Sequence, residues 1–311
     1  MKNISIKIPI CLAATMILSA ACTDELADKS TDGTQAIAFA PATETRAAVN
    51  GSGELGNFKV WGWYGTPDAI NKNVFDGKTI IAPNWTYEGG DQYWIPGNTY
   101  NFYGVYPANL PENSVAVTSD GNITITNFDC SATGADAVDL MTASRKGMDG
   151  SAPEKVALTF NHELAKVNII VTSEGDAVDI TDAKVYGISH IGTLKNKQWT
   201  VGESSTVGNP SFRGSLNIPE ADTKPHELFG GSLLLIPTST EKLANAILSL
   251  DYQYKDGTSK SAKINLQQGL IKEWVAASQY KYIITIPKNF VDITVTVEVL
   301  PWADKDYTVT W

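Results

Sequence analysis

Cysteine is scarce in this sequence of 311 residues, which contains only Cys11, Cys22 and Cys130. Cys11 lies within an N-terminal apolar run and Cys22 follows that run, so Cys130 is the one thiol left for the body of the chain. A single thiol cannot form an intramolecular disulfide, so an exported chain of this kind must be stable through its hydrophobic cores alone. The scarcity excludes a small disulfide-stapled scaffold and favours large cores.

Clusters of basic residues are also lacking. The sequence has 24 Lys and Arg against 34 Asp and Glu, which gives a formal net charge of -10 at pH 7. Binding to a phosphate backbone requires clustered cations, so nucleic acid is excluded as a partner. With 43% hydrophobic and only 19% charged residues, the chain is too apolar to be a disordered acidic polymer. Its length favours two domains over one.

Motifs that carry catalysis or bind metal are lacking as well. The three histidines are far apart and do not show the His and Cys spacings of a zinc site. There is no G-x-S-x-G, and Cys130 has no identifiable base partner. A G-x-G-x-x-G pattern begins at Gly51, but a strand pattern follows it where a dinucleotide site requires a helix. The sequence therefore predicts no catalytic residue, no metal site and no cofactor.

The N-terminus has the layout of a secretory signal. Lys2 and Lys7 precede an apolar run from Ile8 to Leu18, which is too short to cross about 30 Å of hydrocarbon as a stable helix. Small residues at 19–21 then lead to Cys22, and this arrangement resembles the lipobox of bacterial lipoproteins, in which the cysteine carries lipid. The acidic residues after Cys22 resemble a tag for the outer leaflet of the outer membrane.

We therefore expect a signal peptide at residues 1–21, a lipid on Cys22 and anchoring in the outer membrane; an ordinary cleaved signal is the alternative. Residues 22–36 are rich in Asp, Thr, Ser and Gly and are predicted to form a tether, because they cannot bury enough apolar area to order themselves.

Alternation with a period of two dominates the rest of the chain. Apolar and polar residues alternate from Leu248 to Tyr254 and from Ile293 to Val299, and turn signals separate such stretches. No long stretch keeps the 3.6-residue apolar stripe of a helix, although 136–144 and 241–246 are candidates for a helical turn or two. The pattern predicts a nearly all-β chain with two sandwiches, at 37–174 and 177–311, divided where Ser173 to Ala177 interrupts two strand patterns.

Aromatic residues are concentrated between positions 61 and 106. The simpler interpretation is core packing, because each ring buries a large area. Trp61 and Trp63 share one face of their predicted strand, whereas Phe58 and Val60 take the other. The alternative interpretation makes Trp61 and Trp63 an exposed aromatic surface on which a sugar stacks.

Three stretches carry a resemblance to a known family: FKVWGWY at 58–64, YWIPG at 93–97 and LTFNHELAKV at 158–167. In this order, after a lipoprotein signal, they resemble the fimbrillin (Mfa-like) family. The resemblance implies a non-enzymatic precursor of pilus subunits that folds as two transthyretin-like Greek-key β-sandwiches in tandem. It also implies trimming after an arginine, which removes the first strand and leaves a groove that a strand from another subunit fills.

The resemblance assigns candidate residues to this assembly. Arg46, followed by Ala47, is the candidate processing site, with an ordinary linker arginine as the alternative. Ile37 and Phe39 would belong to the displaced strand.

The C-terminal tail alternates apolar residues with threonines at 307–311. It is either a donor strand for a neighbouring subunit or the closing strand of the second sandwich. Its apolar residues are Tyr307, Val309 and Trp311.

The sequence therefore leaves two functions from different classes, of which the first is the one we expect. The first is a structural subunit or adhesin of cell-surface fimbriae, whose partners are other fimbrial subunits and a host or bacterial glycan or protein receptor. It would be held at the outer membrane by lipid before processing and would lie in the fimbrium afterwards. The alternative is a monomeric surface lipoprotein that binds glycans through the aromatic-rich N-terminal domain.

Overall fold

The computed structural model describes residues 35–41, 55–288 and 292–302, and these residues form strands almost throughout. The all-β prediction is confirmed. The strands of the first half are β1 (Phe39–Pro41), β2 (Phe58–Thr66), β3 (Ala69–Ile80), β4 (Thr99–Tyr106), β5 (Val115–Val117), β6 (Ile123–Asp129), β7 (Met141–Asp149), β8 (Val156–Leu158) and β9 (Asn161–His162). Those of the second half are β10 (Ala165–Ser173), β11 (Val178–Tyr186), β12 (Ile191–Lys195), β13 (Gln198–Val201), β14 (Phe212–Ile218), β15 (His226–Glu227), β16 (Leu233–Leu235), β17 (Ile247–Tyr254), β18 (Ser259–Asn265), β19 (Ser278–Ile286) and β20 (Thr294–Pro301).

Helical structure is limited to two short pieces within those ranges, a 3₁₀ turn at Gly134–Asp136 and the helix α1 at Thr240–Leu243. Neither is long and apolar enough to cross a membrane. The helical turn expected at 241–246 is thus present in part. The one expected at 136–144 is wrong, because β7 begins at Met141 and pairs with β4.

The first half is built around a central antiparallel sheet in the order β3-β2-β4-β7-β9. Its interior strand β2 is buried from Val60 to Trp63, without the polar positions of a strand that has one wet face. Strands covered on both sides have such continuous apolar runs. Both faces of this sheet must therefore be covered by other elements.

One face of the central sheet packs against the β1 and β8 pair. Phe58 and Val60 of β2 and Phe102 of β4 lie in one core cluster with Phe39 of β1 and Val156 of β8. On this face the covering layer is very small, because β1 and β8 have only three residues each.

The opposite face packs against a second sheet in the order β13-β12-β6-β5. Trp63 of β2 and Tyr103 of β4 belong to the same core cluster as Ile125 of β6 and Leu194 of β12. In this sheet, Leu194 is the register partner of Ile125, so the β12–β13 hairpin of the second half completes a layer of the first half.

The second sandwich consists of the sheets β15-β10-β19-β20, in which β16 also pairs with β10, and β14-β11-β17-β18. β10 and β19 run parallel from Lys166 opposite Gln279 to Ser173 opposite Ile286. Alternate side chains of both sheets are buried in one core cluster, and these include Val167, Ile169, Ile180, Val185, Leu248, Leu250, Tyr282 and Ile284. In β17 the buried residues alternate with more exposed ones, as the sequence pattern predicts for Leu248 to Tyr254.

The predicted boundary between 37–174 and 177–311 is not where the sheets divide. β10 was expected to close the first sandwich, but it pairs with β16 and β19 of the second half. Conversely, β12 and β13 lie beyond the predicted boundary and complete the sheet of β5 and β6. Alternation identifies a strand but not its partner, so a loop between two good strand patterns was mistaken for a domain boundary.

We expect Leu194→Ala to lower the free energy of unfolding by about 2–5 kcal/mol, because Leu194 is buried between β12 and the first half. The matched change Ile191→Ala, on the same strand at a side chain that is 40% exposed, should cost roughly 1 kcal/mol or less. Urea unfolding followed by tryptophan fluorescence measures both. Equal losses for the two variants would contradict the placement of β12.

Candidate functional site

The N-terminal segment, residues 35–41, lies in a slot whose first wall is β8. β1 runs parallel to β8, with Phe39 opposite Val156. The backbone N–H of Val156 donates a hydrogen bond to the carbonyl of Ala38 at 2.8 Å. The segment thus completes the free edge of β8.

The second wall of the slot is formed by residues 92–94. The N–H of Ile37 donates to the carbonyl of Gln92 at 2.7 Å, and the N–H of Trp94 donates to the carbonyl of Gln35 at 2.9 Å. The hydroxyl of Tyr87 donates to the carbonyl of Ile37 at 3.0 Å. The segment is therefore bonded on both sides, as an internal strand is, although it is short and lies at the beginning of the described chain.

The side chains of Ile37 and Phe39 fill the core between these walls. They are 1% and 4% exposed, as expected for alternate positions of a buried strand. The ring of Phe39 makes edge contacts with the rings of Phe75, Phe102 and Tyr87, at centroid distances of 5.4, 6.0 and 6.1 Å. Both predicted residues are thus core residues of the first sandwich.

Without this segment, the slot would be an apolar groove with unpaired backbone on both sides. Its remaining surface would come from aromatic and aliphatic side chains, and an open edge next to an apolar surface pairs readily with another extended chain. The side chains around Ile37 and Phe39 in the same cluster include Phe75, Tyr87, Trp94, Phe102, Val156 and Phe160.

The C-terminal part of the described chain is held by an aromatic contact that the sequence did not single out. Trp302, which directly follows β20, is 2% exposed, and its ring stacks on that of His162 at a centroid distance of 3.9 Å. The Nδ1 atom of His162 lies 2.9 Å from Oδ2 of Asp139. The one available signal was an isolated tryptophan after Pro301. Because of this contact, the chain after Trp302 leaves from a fixed point.

Several predicted residues lie outside the described residues. These are the lipidation site Cys22, the processing site Arg46 with Ala47, and the tail residues Tyr307, Val309 and Trp311.

Trp61 and Trp63 are core residues, and the alternative interpretation of them as an exposed aromatic surface is wrong. The two residues share a face of β2, but they are only 6% and 8% exposed. The ring of Trp63 packs on the ring of Tyr103 at a centroid distance of 5.8 Å. The indole of Trp61 lies against Gly77, where a Cβ added to the glycine would be 3.3 Å from the indole. The covering sheet is distant in sequence, so the pattern of β2 alone could not show the burial.

Cys130 is buried, as predicted for an inert thiol. Burial raises the pKa of this thiol to about 12, so it stays protonated and unreactive at neutral pH. Within residues 35–41, 55–288 and 292–302, no group of three or more His, Cys, Asp or Glu side chains is placed to hold a metal ion.

Comparison with known proteins agrees with this architecture. The chain matches the fimbrillin-like family over residues 45–302. It is 25% identical over 231 residues to the protein designated fimbrium subunit Fim1C of Bacteroides uniformis, and the match covers 73% of this chain and 71% of that protein.

Two crystal structures share the fold. A protein described as a cell adhesion protein from Bacteroides uniformis superposes with a TM-score of 0.54 at 22% identity, covering 88% of this chain and 100% of that one. A fimbrial protein from Bacteroides vulgatus gives a TM-score of 0.51 at 15% identity, covering 79% and 93%. The chain belongs to the fimbrillin-like family, a family of structural fimbrial subunits rather than of enzymes.

Proposed function

We propose that this chain is a fimbrial subunit, exported as a lipoprotein, whose own N-terminal segment keeps it monomeric until cleavage after Arg46 permits strand exchange with another subunit. The observation that carries the proposal is the position of residues 35–41. They fill a slot in the first core, and they lie upstream of Arg46.

One cut after Arg46 would have two effects. β1 ends at Pro41, five residues before Arg46, so the cut separates the segment in the slot from the rest of the fold. Cys22 is also upstream of Arg46, so the same cut releases the subunit from its lipid. The subunit would thus be freed from the outer membrane at the moment when its groove becomes available.

The resident segment is a weak occupant of the slot once it is no longer covalently attached. It has two fully buried side chains, Ile37 and Phe39, which contribute about 3–6 kcal/mol of hydrophobic burial. An incoming strand that buries three apolar side chains, the number in the C-terminal tail at 307–311, would contribute about 4.5–9 kcal/mol, from which the cost of association is subtracted. A donor that buries more apolar side chains would therefore replace the cleaved segment.

The C-terminal tail is the donor that we propose. Tyr307, Val309 and Trp311 alternate with polar residues, as a strand needs in order to fill pockets on one side. The second sandwich already has β20 as the outer strand of its sheet next to β19, and this supports a tail that serves a neighbour rather than its own sheet. The anchoring of Trp302 would define the point from which the donor extends.

The partners in this proposal are other fimbrial subunits, and the subunit moves from the outer membrane to the fimbrium after processing. As an adhesin, it would also present its surface to a glycan or protein receptor on a host cell or another bacterium.

We expect Phe39→Ala to lower the free energy of unfolding by about 3–5 kcal/mol, because it removes a ring from a fully packed core. Tyr93→Ala is the control, since Tyr93 lies on the neighbouring segment but is 41% exposed. Urea unfolding of the uncleaved protein measures both. If Phe39→Ala cost no more than Tyr93→Ala, the segment would not be part of the core.

We expect Arg46→Ala protein to stay lipidated and monomeric, because the segment would remain covalently attached in its slot. Arg145→Ala is the matched control, because this arginine side chain is about half exposed in its ion pair with Glu154. The variants should be expressed in a Gram-negative host that assembles fimbriae of this type. Electron microscopy and N-terminal sequencing of surface material then measure assembly and processing. Fibres of normal length from Arg46→Ala would refute the cleavage step.

A further inference from the structure

A cavity of about 360 Å³ with a mixed polar and apolar lining lies between the central sheet of the first half and the sheet that contains β6 and β12. Its size is at the lower end of the range for small-molecule sites. It is lined by residues of β4, β6, β7 and β9, of the turn before β6, and of the β12–β13 hairpin. The lining residues used below are Asp120, Ile123, Thr142, Ser144, Lys146, Asn161, Glu163, Leu194, Asn196 and Lys197.

The cavity contains a buried carboxylate, that of Glu163, which is 4% exposed. Its Oε1 accepts a hydrogen bond from the hydroxyl of Thr142 at 2.5 Å. The indole Nε1 of Trp199 donates to the backbone carbonyl of Glu163 at 3.0 Å. Carboxylate and backbone are therefore both held in place, so this acceptor is preorganised for a ligand.

Burial raises the pKa of Glu163, and the hydrogen bond from Thr142 and the charges of Lys197 and His162 only partly oppose this effect. A carboxylate buried in this way costs stability at neutral pH. Costly ionisable groups that face a cavity are characteristic of binding sites.

The β12–β13 turn brings a cation to the cavity. Asn196 and Lys197 form this two-residue turn, and both have positive φ, of 49° and 63°. Glycine is the usual second residue of such a turn, because a residue with a Cβ is strained there. Lys197 occupies the second position and lines the cavity, and its positive charge lowers the pKa of Glu163.

The charges around the cavity are balanced. Glu163 and Lys197 carry opposite charges and line the same cavity. The carboxylate of Asp120 already accepts hydrogen bonds from Thr118 and Asn122, and Lys146 donates to the carbonyl of Asp120 at 3.1 Å. An ionic ligand would therefore bring an unmatched charge into a partly buried space.

The remaining polar groups suit hydroxyl groups. The amides of Asn161 and Asn196 and the hydroxyl of Ser144 can each donate and accept, and a ligand hydroxyl does both as well. Ile123 and Leu194 add apolar surface to the same lining, against which C–H groups can pack.

We propose that this cavity binds a neutral saccharide of one or two rings, with Glu163, Asn161 and Lys197 as its main hydrogen-bonding partners. This site is distinct from the β1 slot and from Trp61 and Trp63. It does not depend on strand exchange, so it can be tested on protein that never polymerises.

Saturation-transfer NMR on purified monomeric protein tests the proposal. The neutral probes are glucose, galactose, mannose, fucose, N-acetylglucosamine and lactose; glucosamine and N-acetylneuraminic acid are the charged probes. We expect at least one neutral sugar to bind. Asn161→Ala and Lys197→Met should each weaken its binding by about tenfold or more. Lys195→Met, an exposed lysine on the same hairpin but outside the cavity lining, should leave it within about twofold.

Glu163→Gln separates a binding role from a structural one. The folded protein holds the Glu163 proton to a higher pH than its ordinary value of 4.5. The contribution of this residue to stability is therefore complete below that value and is lost as the pH rises through the folded pKa. Glutamine cannot ionise, so we expect Glu163→Gln to unfold at the same or a higher temperature at pH 7, and yet to bind the sugar about tenfold or more weakly.

Three results would overturn the proposal. The first is a folded protein that binds none of the neutral sugars. The second is tighter binding of a charged probe than of any neutral sugar. The third is equal binding by the wild type and by Asn161→Ala, Glu163→Gln and Lys197→Met, since that would place the sugar elsewhere.

Discussion

An extended backbone must lie between β8 and residues 92–94 for the first sandwich to be complete. In the single chain this backbone is the segment 35–41, which is hydrogen-bonded on both sides and places Ile37 and Phe39 in an aromatic core. The groove requires hydrogen-bonding groups and apolar side chains at alternate positions, and any strand with that pattern meets the requirement. Our account of anchoring, processing and assembly depends on this interchangeability.

The other face of the central sheet has no such opening. There the β12–β13 hairpin reaches from the second half and joins β6, so the two halves share a layer. This arrangement buries Trp61 and Trp63, and it also creates the cavity that contains Glu163. One face of the central sheet is therefore covered in part by a short segment near the predicted cleavage site. The other face is covered by a sheet that includes the β12–β13 hairpin of the second half. Exchange is proposed for the first face and ligand binding for the second.

The sequence predicted the strands well because alternation is local. The alternating stretch from Ile293 to Val299 lies almost entirely in β20, and the burial of Ile37 and Phe39 also follows from their alternate positions. Strand partners could not be predicted in this way, because pairing such as that of β10 with β19 joins segments more than 100 residues apart. The cavity was missed for the same reason. Glu163 and Lys197 are 34 positions apart in the sequence, and only the fold brings both into the lining of one cavity.

A reversible lock on the N-terminal segment tests the central claim most directly. Ala40 and Ala157 are register partners in β1 and β8, and neighbouring strands are about 4.8 Å apart, a spacing that permits a disulfide. The double variant Ala40→Cys/Ala157→Cys should be cleaved after Arg46 and divided into an oxidised and a reduced sample. Electron microscopy should show monomers in the oxidised sample, and fibres once reductant releases the segment. Equal fibre formation in the two samples would contradict the account.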